Sequence, residues 1–319
     1  IGTVDSWIAA VLSRGELHVT DHTNAAVTGL YDVATMDWSA RTCGILGIDP
    51  STLPRIVHSS GVIGAAHALD GAPPIASIVG DQQSSLLGQG CTRPGDTKIT
   101  FGTGGMLDTV TGPSRPSAAT RLPGGTFPIV AHTSQEGAAF GVEAIMLSAG
   151  TNVEWLCHDL GLIGSPAESD ALAASVGSSE GVVFVPALLG LGTPHWDYGA
   201  RGTLLGATRG TSRAHVVRAV LEGVAQRGAD LVDAALADTG ATIATLRVDG
   251  GMSRNATFLQ ALADAAARPV EVCAITEATT LGAGFLAGAA TGTWHSIDEA
   301  AATWRPARTV DPAGPSDRE

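Results

Sequence analysis

The run Ile99-Thr100-Phe101-Gly102-Thr103-Gly104-Gly105-Met106-Leu107-Asp108 constrains this chain more than any other stretch, because β-forming residues stand on both sides of a glycine-threonine-glycine-glycine corner. Glycines at a corner permit a tight reversal with no side chain in the way, so the run reads as a β-hairpin. A dinucleotide fingerprint is excluded: its glycines are spaced G-x-G-x-x-G and open a helix, whereas Met106-Leu107-Asp108-Thr109-Val110 continues as β. The corner offers backbone N–H groups and the Thr103 hydroxyl, which suits the terminal phosphates of a nucleotide. An ordinary glycine-rich hairpin turn accounts for the same pattern.

With 319 residues, 44% of them hydrophobic, the chain predicts about two domains around a sizeable core. A net charge of −13, with only 18 Lys and Arg, excludes nucleic acid as a partner. A nucleotide site here must therefore rely on backbone amides, helix ends and magnesium rather than on a cationic field. Cys43, Cys91, Cys157 and Cys273 show no C-x-x-C spacing, which signals neither a zinc site nor a disulfide framework and predicts reduced, partly buried thiols. The longest apolar run, 182–191, is broken by Pro186 and Gly190 and is too short to span a bilayer. With no basic segment ahead of a hydrophobic one, the expectation is a cytoplasmic protein and no membrane partner. The chain starts at Ile1 and enters at once what reads as a domain interior, so a fragment is expected.

Thr3 is placed to cap a helix carrying Trp7, Ile8, Val11 and Leu12 on one apolar face. Leu17-His18-Val19-Thr20 reads as a strand and Asp21-His22-Thr23-Asn24 as a polar loop. His18 and His22 lack a third ligand nearby, so no metal is assigned to them. Met36 to Leu46 reads as a helix, and Pro74 to Val79 as a buried strand that ends in Gly80-Asp81-Gln82-Gln83 ahead of another helix. An aspartate where a strand gives way to a helix stands at the mouth of an α/β sheet, where ligands bind, and there it can take a proton from a substrate hydroxyl. Capping of a helix that begins at Gln82 is the alternative role for Asp81.

Pro94-Gly95 marks a crossing into a second domain, 112–125 an exposed loop and Phe127 to His132 a strand. From Gly141 a long helix is expected through Ile145, Met146, Leu147, Val153, Trp155 and Leu156. Gly150 then lies inside it, where glycine costs about 0.5–1 kcal/mol relative to alanine, so a neighbouring helix or a nucleotide is expected against its backbone. Val182 to Pro186 is a core strand leading into a glycine- and aromatic-rich loop, 190–202, and Val216 to Leu236 is an amphipathic helix. Strand Thr245 to Val248 ends in Asp249-Gly250-Gly251, with Asn255 just ahead of a helix from Ala256. Two glycines at such a junction let a ring or a phosphate lie against the backbone, and Asn255 offers an amide to a base edge or ribose. A strand at Val270 to Cys273 precedes a small-residue helix from Thr279, whose Gly282, Gly284 and Gly288 predict close helix packing.

The order of these signals, strand-Gly80-Asp81-Gln82-Gln83-helix, the Phe101-Gly102-Thr103-Gly104 hairpin, then Val248-Asp249-Gly250-Gly251 with Asn255, resembles the FGGY family of carbohydrate kinases within the actin-like ATPase (ribonuclease H-like) fold. Thr3-Val4-Asp5-Ser6-Trp7, Thr20-Asp21-His22-Thr23-Asn24-Ala25, Gly192-Thr193-Pro194-His195-Trp196-Asp197 and Leu246-Arg247-Val248-Asp249-Gly250-Gly251 are similar to the glycerol kinases of that family. The resemblance implies an α/β fold of two domains, the first only partly present. Residues 1–92 would be the C-terminal part of a substrate-side domain I and 93–305 a nucleotide-side domain II; the Pro- and charge-rich composition from Arg305 onward separately predicts a disordered tail over 306–319. It also implies that the family's N-terminal part is lacking, with its Asp-x-Gly-Thr phosphate hairpin and the Arg, Glu, Trp and Tyr that hold glycerol, and that the C-terminal tail helix is missing.

The activity so implied is ATP-dependent phosphorylation of glycerol to glycerol 3-phosphate, or of another sugar or polyol, with Mg2+ bridging the phosphates and ATP/ADP as the nucleotide partner. A homo-oligomer is compatible with it. An inactive nucleotide-binding fragment is the reading from another class. By the resemblance Asp81 is the general base and Asp81, Gln82 and Met106 meet the substrate. Gly102 and Thr103 meet the nucleotide phosphates, Gly150 and Gly251 bring backbone to the nucleotide, and Glu154 and Asn255 are nucleotide-side contacts. Glu154 stands where the family's glycerol kinases usually carry glutamine, and Met106 where they usually carry a phenylalanine against the polyol carbons. Methionine is less shape-specific, which loosens the choice of polyol. Gly71-Ala72-Pro73-Pro74 lacks the Gly-Thr-Arg that some members use for fructose bisphosphate, so no such regulation is expected.

Overall fold

The computed structural model describes residues 1–116 and 120–314. The first part begins with helix α1 (Val4–Leu12), strand β1 (Val19–Asp21) and a short helix α2 (His22–Ala26). Asp21 caps α2 by accepting from the backbone N–H groups of Thr23 and Asn24, so the expected polar loop is a capped helical turn. A small hairpin of β2 (Tyr31–Asp32) and β3 (Asp37–Trp38) leads to helix α3 (Ala40–Leu46), shorter than the expected Met36 to Leu46. Strand β4 (Arg55–Val57) lies parallel to β1, and β5 (Ser60–Ala65) pairs antiparallel with β6 (Pro74–Ser77). Strand β6 is half-exposed rather than buried, because it belongs to a two-stranded ribbon. Helix α4 (Asp81–Gly88) closes this part.

The apolar face expected on α1 points outward: Trp7 is 67% exposed, with Ile8 and Val11 beside it, while the small residues Ser6 and Ala9 face the protein.

The second part is built on β7 (Thr97–Phe101), β8 (Gly105–Gly112), β9 (Phe127–Ser134) and β10 (Gly137–Met146), followed by α5 (Gly150–His158) and α6 (Glu168–Ala174). Strands β11 (Val183–Val185) and β12 (Thr203–Leu205) form a separate ribbon, and α7 (Arg213–Thr239) is the long central helix. Strand β13 (Leu246–Asp249), helix α8 (Ala256–Ala266), strand β14 (Val270–Cys273), helices α9 (Ala278–Ala290) and α10 (Ile297–Ala301), and strand β15 (Pro306–Val310) complete it. Seven strands make one sheet in the order β15-β14-β13-β7-β8-β10-β9, with β7, β13 and β14 parallel and the others antiparallel.

Strand alternation gives this sheet two different faces. Ile99, Phe101, Leu107, Val142, Ala144, Met146, Leu246 and Val248 join α7 and α8 in the main core. On the opposite face Glu271, Arg247, Lys98, Asp108 and Glu143 occupy directly opposed positions on β14, β13, β7, β8 and β10.

Two expectations are corrected here. The helix predicted from Gly141 is instead strand β10 through Met146, with α5 starting only at Gly150. Phe140, Val142, Ala144 and Met146 are all buried with a period of two, and the Gly141 backbone lies where a Cβ would strike the Thr109 carbonyl, so tertiary pairing overrides the helix-forming residues in the run. The tail expected to be disordered from 306 forms edge strand β15 against β14; residues 315–319 of that call lie outside the described residues.

Candidate active site

Phe101 and Gly105 are paired in the β7–β8 register, which leaves Gly102, Thr103 and Gly104 as the corner. The N-terminus of α5 holds this corner: the Gly150 N–H donates to the Gly102 carbonyl at 2.9 Å, and the Ala149 N–H to the Thr103 carbonyl at 2.9 Å. Tying back these two carbonyls keeps their negative ends from facing an anion, and the Thr103 side chain stays exposed at the tip. Gly150 is the first residue of α5 rather than an interior one, and what approaches it is the Gly102 carbonyl, 2.5 Å from where a Cβ would sit.

A second backbone crossing adds another wall. Gly250 has φ +87°, and a Cβ there would collide with the Phe101 backbone, so the end of β13 lies across the end of β7. Gly251 has open space where its Cβ would be. Asn255 caps α8 through Oδ1, which accepts from the Phe258 N–H at 2.8 Å, and its Nδ2 donates to Ser169 Oγ at 3.0 Å. Asp170 accepts from the Ala256 and Thr257 N–H groups, fastening α6 to the same helix start. Burial pushes the Asp170 carboxyl up, but the hydrogen bonds from Thr257 and Ala256 outweigh it and hold the group below its ordinary value.

Gly102, Thr103, Gly150, Glu154, Gly251 and Asn255 all line one cavity of about 660 Å³, a volume in the range of nucleotide-sized ligands. Ser165, Pro166, Asp170 and Arg254 supply further wall that sequence reasoning missed. The segment 163–167 ahead of α6 carries no motif, and only the fold brings it to Gly251.

Asp81, Gln82 and Met106 lie outside this cavity, on the charged face of the sheet. Gly80 occupies the cap position of α4, and Asp81 is its exposed first residue, its Oδ1 accepting from the Gln82 N–H at 2.8 Å. Capping by Asp81 of a helix begun at Gln82 is therefore not what the structure contains, and the carboxylate keeps acceptor capacity. Gln82 Oε1 accepts from Lys98 Nζ at 2.5 Å. Lys98 is fully buried, with its Nζ 2.8 Å from Asp108 Oδ2 and 3.2 Å from Thr100 Oγ1. Thr100 is paired with Met106, which is half-buried on the same face. Burial, then the nearby Asp108 charge, raise the Glu143 carboxyl to about 7. Lys98, Asp108 and Glu143 were not singled out from the sequence; no local pattern joins them, since strand register alone sets them side by side.

Helix α4 lies against α9 with almost nothing between them. A Cβ on Gly88 would enter the Ala278 carbonyl, and one on Gly282 the Ser84 carbonyl, while Ser84 Oγ donates to the Thr279 carbonyl at 2.5 Å. The glycine-rich loop 190–202 is a rigid cover: the Thr193 N–H donates to the Ile145 carbonyl at 2.9 Å, Thr193 Oγ1 accepts from the Ile145 N–H at 3.0 Å, and Arg227 Nη2 donates to the Thr193 carbonyl. None of its residues lines the cavity.

Residues 97–291 match the FGGY family of carbohydrate kinases, C-terminal domain, and residues 1–88 match the N-terminal domain of that family. The expectation of a chain lacking the family's N-terminal part, with a first domain only partly present, is corrected by this second match: both domains of the family are represented. The glycerol kinase of Aromatoleum aromaticum is 44% identical over 319 residues, covering 99% of this chain and 64% of the relative. That of Nitratidesulfovibrio vulgaris is 42% identical over 313 residues, covering 98% of this chain and 62% of the relative. The chain thus spans under two thirds of the length of these relatives.

Among solved structures, Plasmodium falciparum glycerol kinase with ADP superimposes with a TM-score of 0.89 at 32% identity, covering 98% of this chain and 62% of that one. A xylulose kinase from Rhodospirillum rubrum gives 0.80 at 25% identity, covering 96% and 62%. Among the described residues no helix is long and apolar enough to cross a membrane.

Proposed function

Because the chain belongs to the FGGY family of carbohydrate kinases, we propose that it transfers the γ-phosphoryl group of ATP to a polyol hydroxyl, with glycerol as the substrate. Similarity to several glycerol kinases over nearly the whole chain supports the choice of polyol. The observation that carries the reading is a single hairpin with two duties: its corner lines the cavity together with the N-terminus of α5, and its stem meets Gln82, the neighbour of Asp81, through Lys98. The division of labour is that of 1–92 as a substrate-side unit and 93–305 as a nucleotide-side unit, drawing on the cytoplasmic ATP pool.

In this mechanism Gly102, Thr103 and the Gly150 turn cradle the phosphates, and Gly251, Glu154 and Asn255 border the nucleoside. Gln82 and Met106 orient the polyol. The Asp81 carboxylate accepts the proton of the attacking hydroxyl as its oxygen forms the new bond to phosphorus and the bond to ADP breaks. Such chemistry is mostly positioning and charge stabilisation. Mg2+ neutralises phosphate charge when bound. It commonly needs only one or two protein carboxylates beside phosphate and water, and the residues fit: Asp249, whose Oδ1 is buried without a hydrogen-bond partner, would hold it, which leaves Asp81 free to act as the base.

A coupled ADP-release assay tests the reading. Turnover with glycerol well above that with a pentulose is expected. Turnover with a pentulose and none with glycerol would move the substrate within the family. ADP binding without turnover on any polyol would leave a nucleotide-binding module.

A further inference from the structure

We propose that Lys98 is a positioning residue for polyol recognition: it fixes the Gln82 carboxamide so that the amide NH2, beside the Asp81 carboxylate, is the group presented to the substrate, and Asp108 balances its charge. The inference rests on the polyol-kinase reading above and assigns a role to two residues outside the contacts already named.

An ammonium group has three donors and no acceptor. Three oxygens surround the buried Lys98 Nζ: Gln82 Oε1 at 2.5 Å, Asp108 Oδ2 at 2.8 Å and Thr100 Oγ1 at 3.2 Å. It donates to the Gln82 and Thr100 oxygens and is ion-paired with the third, on Asp108. The chemistry also decides which end of the Gln82 amide faces it, since only the carbonyl oxygen can accept from a cation that cannot itself accept. The two Nε2 donors then point away from Lys98, on a half-exposed residue adjacent to the exposed Asp81. Donor and acceptor side by side at a helix start match a pair of neighbouring hydroxyls, one giving its proton to Asp81 and one receiving a hydrogen bond from Gln82.

The arrangement is expensive to build without a purpose beyond packing. Lys98 is 0% exposed, and burying an ammonium needs a fixed counter-charge. Asp108 supplies it from the directly opposed position on β8. A buried, ion-paired cation cannot drift as a surface lysine does, so it holds Gln82 in one rotamer.

Lys98→Met combined with Asp108→Leu removes the pair without leaving a buried unpaired charge. In the full chain the KM for glycerol should rise about tenfold, with the KM for ATP and the KM-independent nucleotide affinity unchanged. In a Gln82→Ala background the same two substitutions should have no further effect on the glycerol KM, because Lys98 acts only through Gln82. Equal effects in the two backgrounds would overturn the proposal, as would an unchanged glycerol KM. Should the double variant fail to fold, Gln82→Glu provides the second reading at a half-exposed position: it keeps an acceptor for Lys98 but deletes the NH2, and glycerol KM should again rise about tenfold with an undiminished melting temperature. A glycerol KM within twofold of the parent would refute the presented donor. An inactive parent protein would instead bring down the polyol-kinase reading itself, and this proposal with it.

Discussion

The Gly150 N–H meets the Gly102 carbonyl at 2.9 Å, and a Cβ on Gly150 would stand 2.5 Å from that same oxygen. The corner of the β7–β8 hairpin and the start of α5 are therefore one unit, in which neither backbone can move without the other. Substituting Gly150→Ala should push them apart. Overpacking of this kind costs about 1–3 kcal/mol, and because the displaced atoms belong to the cavity wall, ADP affinity measured by calorimetry should fall together with the melting temperature. Unaltered ADP affinity would remove Gly150 from the nucleotide site.

Asp81 is exposed and makes one local hydrogen bond, to the Gln82 N–H. Asp81→Asn should lower kcat by about 10²–10⁴-fold, the usual worth of a general base, with a melting temperature unchanged within about 1 °C. Parent-like turnover in this variant would sink the base assignment.

The Glu143 carboxyl is raised from 4.5 to about 7 by burial and by Asp108. The native state thus holds a proton that the unfolded chain releases near pH 4.5, so this group's contribution to stability is lost as pH rises from about 4.5 to 7 and is flat above that. Glu143→Gln removes the ionisation. Relative to the parent, its melting temperature should be higher by a few degrees at pH 8 than the corresponding difference at pH 5. A difference independent of pH would show that Glu143 titrates at its ordinary value.

Helix α9 contains its own control. Gly282 has no room for a Cβ against the Ser84 carbonyl, whereas Gly284 is exposed with nothing within 4 Å of that position. Gly282→Ala should destabilise the protein by about 1–3 kcal/mol, and Gly284→Ala should stabilise it by about 0.5–1 kcal/mol through helix propensity alone. Thermal melts of the two variants should move in opposite directions; movement in the same direction would contradict the α4–α9 contact.

What the sequence discloses depends on how local the cause is. The hairpin at 97–112 is legible because glycine chemistry acts within a few residues, whereas Gly150 and Glu154 as cavity walls come only through the family resemblance that the order of the motifs carries. Strand β10 is not, since Ala138, Ala139, Glu143, Ala144 and Met146 favour a helix until β8 and β9 pair on either side of them. Lys98, Asp108 and Glu143 are illegible for a related reason: a ladder brings together residues up to 45 positions apart, and nothing near any of them announces the others. The face of α1 fails differently, because helical periodicity gives the direction of an apolar stripe and not whether anything covers it.

The contact of α4 with α9 has a mechanical meaning. Backbones that touch where side chains would otherwise mesh fix the register of the two helices, because sliding by one residue would drive a Cβ into a carbonyl. Thr279 Oγ1 also reaches the Asp81 carbonyl at 3.5 Å. Asp81, although it comes from the first part of the chain, is thus carried on the chassis of the second, so that in the proposed reaction its distance from the hairpin corner is set by backbone contact rather than by side chains.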